Sequence, residues 1–317
     1  MLLVRTSESA YRQASFLDDR FLAGDRESLW VPAAELYAAA ALIDCARPLH
    51  FVFHTGHVGS TLVSRLLDEV APVLPLREPL PLRALADLAD TQGQGSLDST
   101  SDQWLTLWAR GYSHTDAVVL KATSSAGRIA VSLLQRRPGI RAVYLNLRAE
   151  PYLATLLAGE NSLRDLQGHA PQRQRHLQSR LLEAGSLHPI TSAGELAALS
   201  WLTESFCQHA ALAAFPGRVL RIDFEQLLQD VSDGIGAVVA HLALAADAQA
   251  LRALDRSPVL TRYSKAPEHE YSRDLRDAVL AESRRNNAIE IARGLAWLET
   301  LARRDAGVAE VFGALGR

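Results

Sequence analysis

The sequence predicts an α/β fold: a three-layer arrangement with a central parallel sheet of about five strands, helices on both faces, and helical extensions at either end. Three observations lead there. Short apolar runs alternate with segments whose apolar residues recur at helical spacing, a rhythm that puts parallel strands between covering helices. The runs are separated by Pro-Gly and Gly-containing turns such as Pro138-Gly139 and Pro216-Gly217. The 317 residues are 48% apolar, rich in Leu and Ala, which supports a sizeable core and favours helix.

Taken in order, residues 1–48 read as a helical preface, with a turn at Trp30-Val31-Pro32 and a helix from Ala33 to Cys45. Phe51–Phe53 is a first strand, followed by a helix over Ser60–Val70 in which Leu62, Val63, Leu66 and Leu67 share one face. Val73–Leu76 is a second strand and Leu80–Ala89 a helix; 91–102, rich in Gly, Ser, Asp and Gln, reads as a loop. A helix at Trp104–Gly111 leads to a third strand, Ala117–Leu120, and a helix, Ser125–Arg136. Arg141–Leu147 is a fourth strand and Pro151–Leu157 a helix. The polar, basic stretch 159–190 reads as a long insertion. A helix over Ala193–Phe215 and a fifth strand, Arg218–Ile222, close the alternation. The remainder is helical at 224–230, 234–243, 247–254 and about 273–304, around an irregular polar stretch from Ser257 to Ser272. With no internal repeat, 1–317 reads as one domain: preface 1–48, core 49–245 and helical extension 246–317.

A net charge of −3 argues against a general nucleic-acid binder. Cys45 and Cys207 sit in apolar contexts and imply no disulfide framework. The N-terminus carries Arg5, Glu8 and Arg12 with no long apolar stretch, so a cytoplasmic, membrane-free protein is the expectation. His169 and His176 lack metal-ligand spacing with each other or with a cysteine.

The most informative stretch is the strand-turn-helix Leu49-His50-Phe51-Val52-Phe53, His54-Thr55-Gly56-His57-Val58-Gly59-Ser60-Thr61-Leu62. An apolar run breaking into a Gly-containing turn that opens a helix is the geometry of a phosphate cradle, with backbone N–H groups pointing inward and the positive end of the helix dipole behind them. A nucleoside-triphosphate loop reads G-x-x-x-x-G-K-[ST]. Here Ser60 stands where the Lys belongs and His54 where the first Gly belongs.

Ligands of such sheets bind beyond the carboxyl ends of the strands. The turn 54–61 follows the first strand, Arg77 and Glu78 the second, Lys121, Thr123 and Ser124 the third, Arg148 and Glu150 the fourth, and Asp223 the fifth. Donors, cations and a carboxylate therefore converge on one edge. Each also has an ordinary reading. Glu78 suits a helix start, Lys121 a solvated strand end, Arg148 a surface pair with Glu150 or Asp165, and Asp223 a cap for the helix 224–230.

His57-Val58-Gly59-Ser60-Thr61-Leu62 resembles the 5′-phosphosulfate loop of sulfotransferases, [KR]-S-G-[ST]-T-[LW]. Arg77-Glu78-Pro79, 18 residues after Ser60, matches the place of the catalytic Glu in tyrosylprotein-sulfotransferase-like members. Leu120-Lys121-Ala122-Thr123 is similar to that subgroup's strand-end Lys, and the run Tyr144 to Pro151 to a strand ending in R-[DN]-P, here with one extra residue. The resemblance covers about 50 to 225. It implies a P-loop-type sulfotransferase fold, 3′-phosphoadenosine 5′-phosphosulfate as cofactor, no metal, and a small-molecule or peptide acceptor. Catalytic roles then fall on Glu78, Lys121 and His57, the last standing where the family carries a cation. Cofactor contacts fall on Thr55, Gly56, His57, Val58, Gly59, Ser60, Thr61 and Arg148. Leu157 stands where the family has a serine, which leaves Thr155 as the nearest hydroxyl for the 3′-phosphate. Arg262-Tyr263-Ser264-Lys265 replaces the late basic loop, with Lys265 as its contact. The insertion 159–190 is the expected acceptor lid. A non-catalytic nucleotide-binding protein and an ATP-dependent phosphotransferase remain alternatives on the same frame.

Overall fold

All five apolar runs become strands of one parallel sheet. The structure is a computed structural model that describes every residue except 24–25, 43–45, 93–97, 183–186, 188, 266–267 and 317. The predicted loop over 91–102 and the expected environment of Cys45 therefore fall partly or wholly outside the described residues. Two short strands, β1 (Leu2–Val4) and β2 (Ser28–Trp30), pair antiparallel near the N-terminus. The main sheet comprises β3 (Leu49–His54), β4 (Val73–Arg77), β5 (Ala117–Lys121), β6 (Ala142–Asn146) and β7 (Val219–Asp223), in the order β4-β5-β3-β6-β7. Every residue of β3, β4, β5 and β6 is buried, as expected for parallel strands covered on both faces.

Strand periodicity divides the core. Val52, Val143 and Leu145 point to one side, where they meet Leu62, Leu66, Trp201 and Val239. Phe51, Phe53 and Tyr144 point to the other and meet Leu82, Leu105 and Leu133. From β3 the chain passes to β4 and β5 on one side, then crosses to β6 and β7 on the other. The switch point therefore lies at the carboxyl end of β3, where the Gly-containing turn stands.

Four segments differ from the sequence reading. The predicted loop 91–102 is helical where it is described: Leu80–Gln92 runs into it and Asp98–Trp108 starts within it. The preface is not wholly helical: β1 and β2 frame the helices Glu8–Gln13 and Asp19–Leu22, because the apolar ends Leu2–Val4 and Ser28–Trp30 can satisfy their backbone by pairing. The insertion contains a helix, Glu160–Gln178, whose composition is polar and basic apart from a narrow stripe in which Leu166 and Leu177 are buried against the main core. That helix packs on Ala193–Ala214, a helix opened by a Ser192/Glu195 capping box. The predicted segment 273–304 divides at Asn287 into Arg273–Asn286 and Ala288–Arg304. The Asn287 side-chain amide donates to the Leu157 carbonyl at 3.2 Å. Among the described residues, no helix is long and apolar enough to cross a membrane.

Arg77, expected among the cations at the sheet edge, is instead fully buried. Its Nη1 donates to the carbonyls of Arg12 (2.8 Å) and Ala14 (3.0 Å), and its Nε to Ser64 Oγ (2.9 Å). Asp68 balances its charge at 3.5 Å. Backbone bonds Leu17 N to Arg77 O and Leu80 N to Leu17 O complete the strap, so the preface is fastened to the end of β4. Arg77→Met leaves those carbonyls without their donor and Asp68 with Arg12 as its one cation, and is expected to lower unfolding free energy by about 3–5 kcal/mol, measured by urea denaturation, with faster proteolysis of residues 1–20.

Candidate active site

The turn after β3 is held in an unusual backbone by its own side chains. His54 Nδ1 accepts the Gly56 amide at 3.0 Å, and its Nε2 bonds the Ala122 carbonyl at 2.8 Å. With Nδ1 accepting, Nε2 carries the proton and the ring is neutral; burial and the nearby Lys121 charge hold its pKa well below the ordinary value. His54 is thus a strut joining β3 to the chain after β5. Gly56 (φ +95°), His57 (φ +53°) and Gly59 (φ +68°) are all left-handed. At Gly59 a Cβ would lie 2.0 Å from the Phe224 ring, so glycine is required by both backbone and space.

Gly59 caps the helix Ser60–Val70 without any side-chain acceptor for its first N–H groups. Ser60 and Thr61 are buried there, and the hydroxyls of Thr55 and Thr61 are buried without a hydrogen-bond partner. Orphan amides and orphan hydroxyls at a helix N-terminus make a receptor for an anion.

Beside the turn lies a buried ion pair. β4 and β5 run in register with Arg77 opposite Lys121, so the next residue, Glu78, turns over the end of β5. The Glu78 amide donates to the Lys121 carbonyl at 2.7 Å, and Lys121 Nζ donates to the Glu78 carboxylate. Lys121 is fully buried, with Nζ 5.8 Å from the centre of the Phe16 ring. Burial pulls the Lys121 ammonium below its ordinary pKa, and Glu78 works against that pull. Glu78 adopts a left-handed backbone (φ +52°). Among the described residues, His57, Glu78 and Ala243 alone are non-glycine positions of this kind. Two of the three flank this site, where strained backbone tends to gather.

Lys265 comes to the same place from the far end of the chain. Residues 261–271 fold back on themselves through Tyr263 N to His269 O (2.9 Å) and Tyr271 N to Thr261 O (3.0 Å). Arg65, on the helix behind the turn, fixes this strap by donating from Nε to the Ser264 carbonyl at 2.9 Å. Burial lowers the Lys265 pKa, partly offset by Glu78. Burial first, and then the charge of Lys265, push His57 down to about 4. At neutral pH His57 is therefore uncharged, and the cation beside the turn is Lys265.

A cavity of about 350 Å³ opens over the turn. His57 to Leu62 form its floor; Thr155, Phe224, Lys265 and Arg276 are among its walls, with Tyr263 and Tyr271 adding aromatic surface. Thr155 Oγ1 donates to its own helix at Pro151 O (2.7 Å). Arg148 is half exposed, 3.6 Å from Glu225, and does not line the cavity. Arg276 does, and it shares Glu225 at 3.3 Å. Asp223 is not a site carboxylate: its side chain accepts the amides of Glu225 and Gln226 as the cap of Phe224–Gln229. Phe16, Arg65, Phe224 and Arg276 were not singled out in the sequence. None of the four lies in a motif or in the polar stretch 257–272, so no local signal marked them. Among the described residues, no group of three His, Cys, Asp or Glu side chains is placed to hold a metal ion.

No protein-family model matches the chain, and no curated protein matches it in sequence. Several solved structures are similar to it. Sulfotransferase STF1 from Mycobacterium tuberculosis H37Rv is 15% identical with a TM-score of 0.42, the match covering 82% of this chain and 80% of that one. A sulfotransferase from Alicyclobacillus acidocaldarius is 15% identical with a TM-score of 0.41, covering 81% and 96%. Retinol dehydratase, solved in a complex with retinol and PAP, is 12% identical with a TM-score of 0.37, covering 85% and 87%.

The neutral histidines have a measurable consequence. His50, His57 and His176 are each pushed down to about 4, chiefly by burial, whereas an unfolded histidine titrates near 6.5. Between these values only the unfolded chain binds the protons, so stability is full above about pH 6.5 and falls as pH drops towards about 4. Urea midpoints should decline steadily from about pH 7 to about pH 5.

Proposed function

We propose that this protein is a sulfotransferase that moves a sulfuryl group from 3′-phosphoadenosine 5′-phosphosulfate to an acceptor hydroxyl. The observation that carries the reading is the Glu78 carboxylate on the buried Lys121 ammonium, beside an anion cradle that lacks the nucleotide-loop lysine. The residues present fit such a cofactor. The uncapped helix start and the unpartnered Thr61 hydroxyl suit a 5′-phosphate. Phe224, Tyr263 and Tyr271 offer apolar faces to a base. Thr155 and Arg276 line the cavity and would receive the second phosphate, while Arg148, outside the lining, stands at the Glu225 carboxylate that Arg276 shares.

When bound, the cofactor supplies a sulfuryl group whose transfer leaves negative charge on a phosphate oxygen. The amides of residues 57–61 hold the phosphate, and Lys121 with Ser60 or Thr61 donates to the oxygen on which charge grows. Glu78 takes the proton of the acceptor hydroxyl as the oxygen–sulfur bond forms, and later releases it to water. Because Lys121 already contacts Glu78, proton acceptor and charge stabiliser share one locked geometry. Lys265 supplies the positive charge that neutral His57 does not.

Transfer from labelled cofactor to a panel of alcohols and phenols tests this. Glu78→Gln should retain cofactor binding while slowing transfer roughly 100- to 10,000-fold. Full transfer by that variant would remove Glu78 from the base role.

A further inference from the structure

A second cavity, of about 90 Å³, lies across the turn from the first and belongs to none of the functions assigned above. Thr123, Ser124 and Ser125, just past Lys121, form one wall. Ser124 reaches the turn itself, its Cβ 3.7 Å from where a Gly56 side chain would begin. The opposite wall comes from Glu160–Gln178 and Ala193–Ala214, which contribute Arg173 and Glu204. Arg173 and Asp165 of this wall act on the charge of His57, which lines the first cavity.

Two groups here are unfinished. Glu204 is 95% buried yet makes no hydrogen bond among the described residues, and burial pushes its pKa up to about 7. Arg173 pairs with Asp165 through Nη2 at 3.5 Å, while its Nη1 is buried with no hydrogen-bond partner. Glu204 and Arg173 line the same space but form no ion pair with each other. An acceptor and a donor left without protein partners on the same cavity are fitted to something that enters it. Two further arginines line the space: Arg128 is balanced by Asp87 (2.6 Å) and Asp90 (3.1 Å), and Arg83 is exposed.

We propose that this cavity is the acceptor subsite and that it takes a neutral polyhydroxylated headgroup, whose hydroxyls donate to Glu204 and accept from Arg173. The assignment rests on the sulfotransferase reading for the word acceptor. A hydroxyl both donates and accepts through a single uncharged oxygen, so one group can serve either partner. An ammonium would leave Arg173 unpartnered and sit among arginines, and a carboxylate would face Glu204. The volume, about a quarter of the cavity over the turn, suits a single small headgroup and not a fused or multi-ring acceptor. It also gives the insertion 159–190 a definite role: its helix supplies Arg173.

The test measures binding before activity. Saturation-transfer NMR with myo-inositol, methyl glucoside, tyramine and benzoate, on the wild type and on Glu204→Leu, Glu204→Gln and Arg173→Met, reads the subsite directly. The polyols should bind the wild type best, weaken about tenfold or more in Glu204→Leu and Arg173→Met, and recover in Glu204→Gln, which keeps an acceptor oxygen. In transfer assays the same substitutions should raise the acceptor KM more than they lower kcat. Affinity for adenosine 3′,5′-bisphosphate, measured on each variant, reports a folded cofactor site. If the wild type does not bind that nucleotide, the sulfotransferase reading fails. If it does bind, and polyols do not, or bind Glu204→Leu and Arg173→Met equally well, the subsite is overturned.

Discussion

The contact between Lys121 and Glu78 is the constraint on which the rest of the site depends. A fully buried ammonium is unfavourable unless a counter-charge meets it in good geometry, and such a pair is weak evidence for stability in its own right. Its persistence requires the register that puts Arg77 opposite Lys121, so that Glu78 turns over the strand end in a left-handed conformation. It also requires Arg77 to strap the preface down, because that strap brings Phe16 to the face of Lys121. Stability alone would be served better by an apolar pair at the same strand ends. On the proposed reading, an ion pair kept there, beside an uncapped helix, serves proton transfer and charge stabilisation.

Much of this was legible in the sequence because strands buried on both faces are written as continuous apolar runs. β3 to β6 stood out for that reason, β7 followed from the Pro216-Gly217 turn before it, and their order placed the turn, Glu78 and Lys121 at one edge. The failures have specific causes. Glu160–Gln178 has a narrow apolar stripe and an internal Pro171, so its helical period is drowned by polar residues. β1 and β2 are three residues each, too short to show alternation. Arg77 and Arg148 are alike in sequence, each a cation at or just past a strand end. The fold alone separates them: one is buried under a carbonyl network and the other is half exposed at Glu225.

His57 shows the same limit from another side. Sequence spacing can place a histidine where a cation is expected but cannot assign its charge. The structure resolves the charge by bringing Lys265 from more than 200 positions away, anchored through Arg65 to the very helix that carries the cradle. Long-range pairing of this kind leaves no local pattern to read.

The central claim is that the cradle is built for a nucleotide carrying phosphates at both ends of its ribose and not for a triphosphate. Isothermal calorimetry of the purified protein against adenosine 3′,5′-bisphosphate and against ATP with magnesium tests it most directly. The account predicts saturable binding of the bisphosphate and at least about tenfold weaker binding of ATP, since no lysine grips the β- and γ-phosphates. Tighter binding of magnesium-ATP than of the bisphosphate would contradict it.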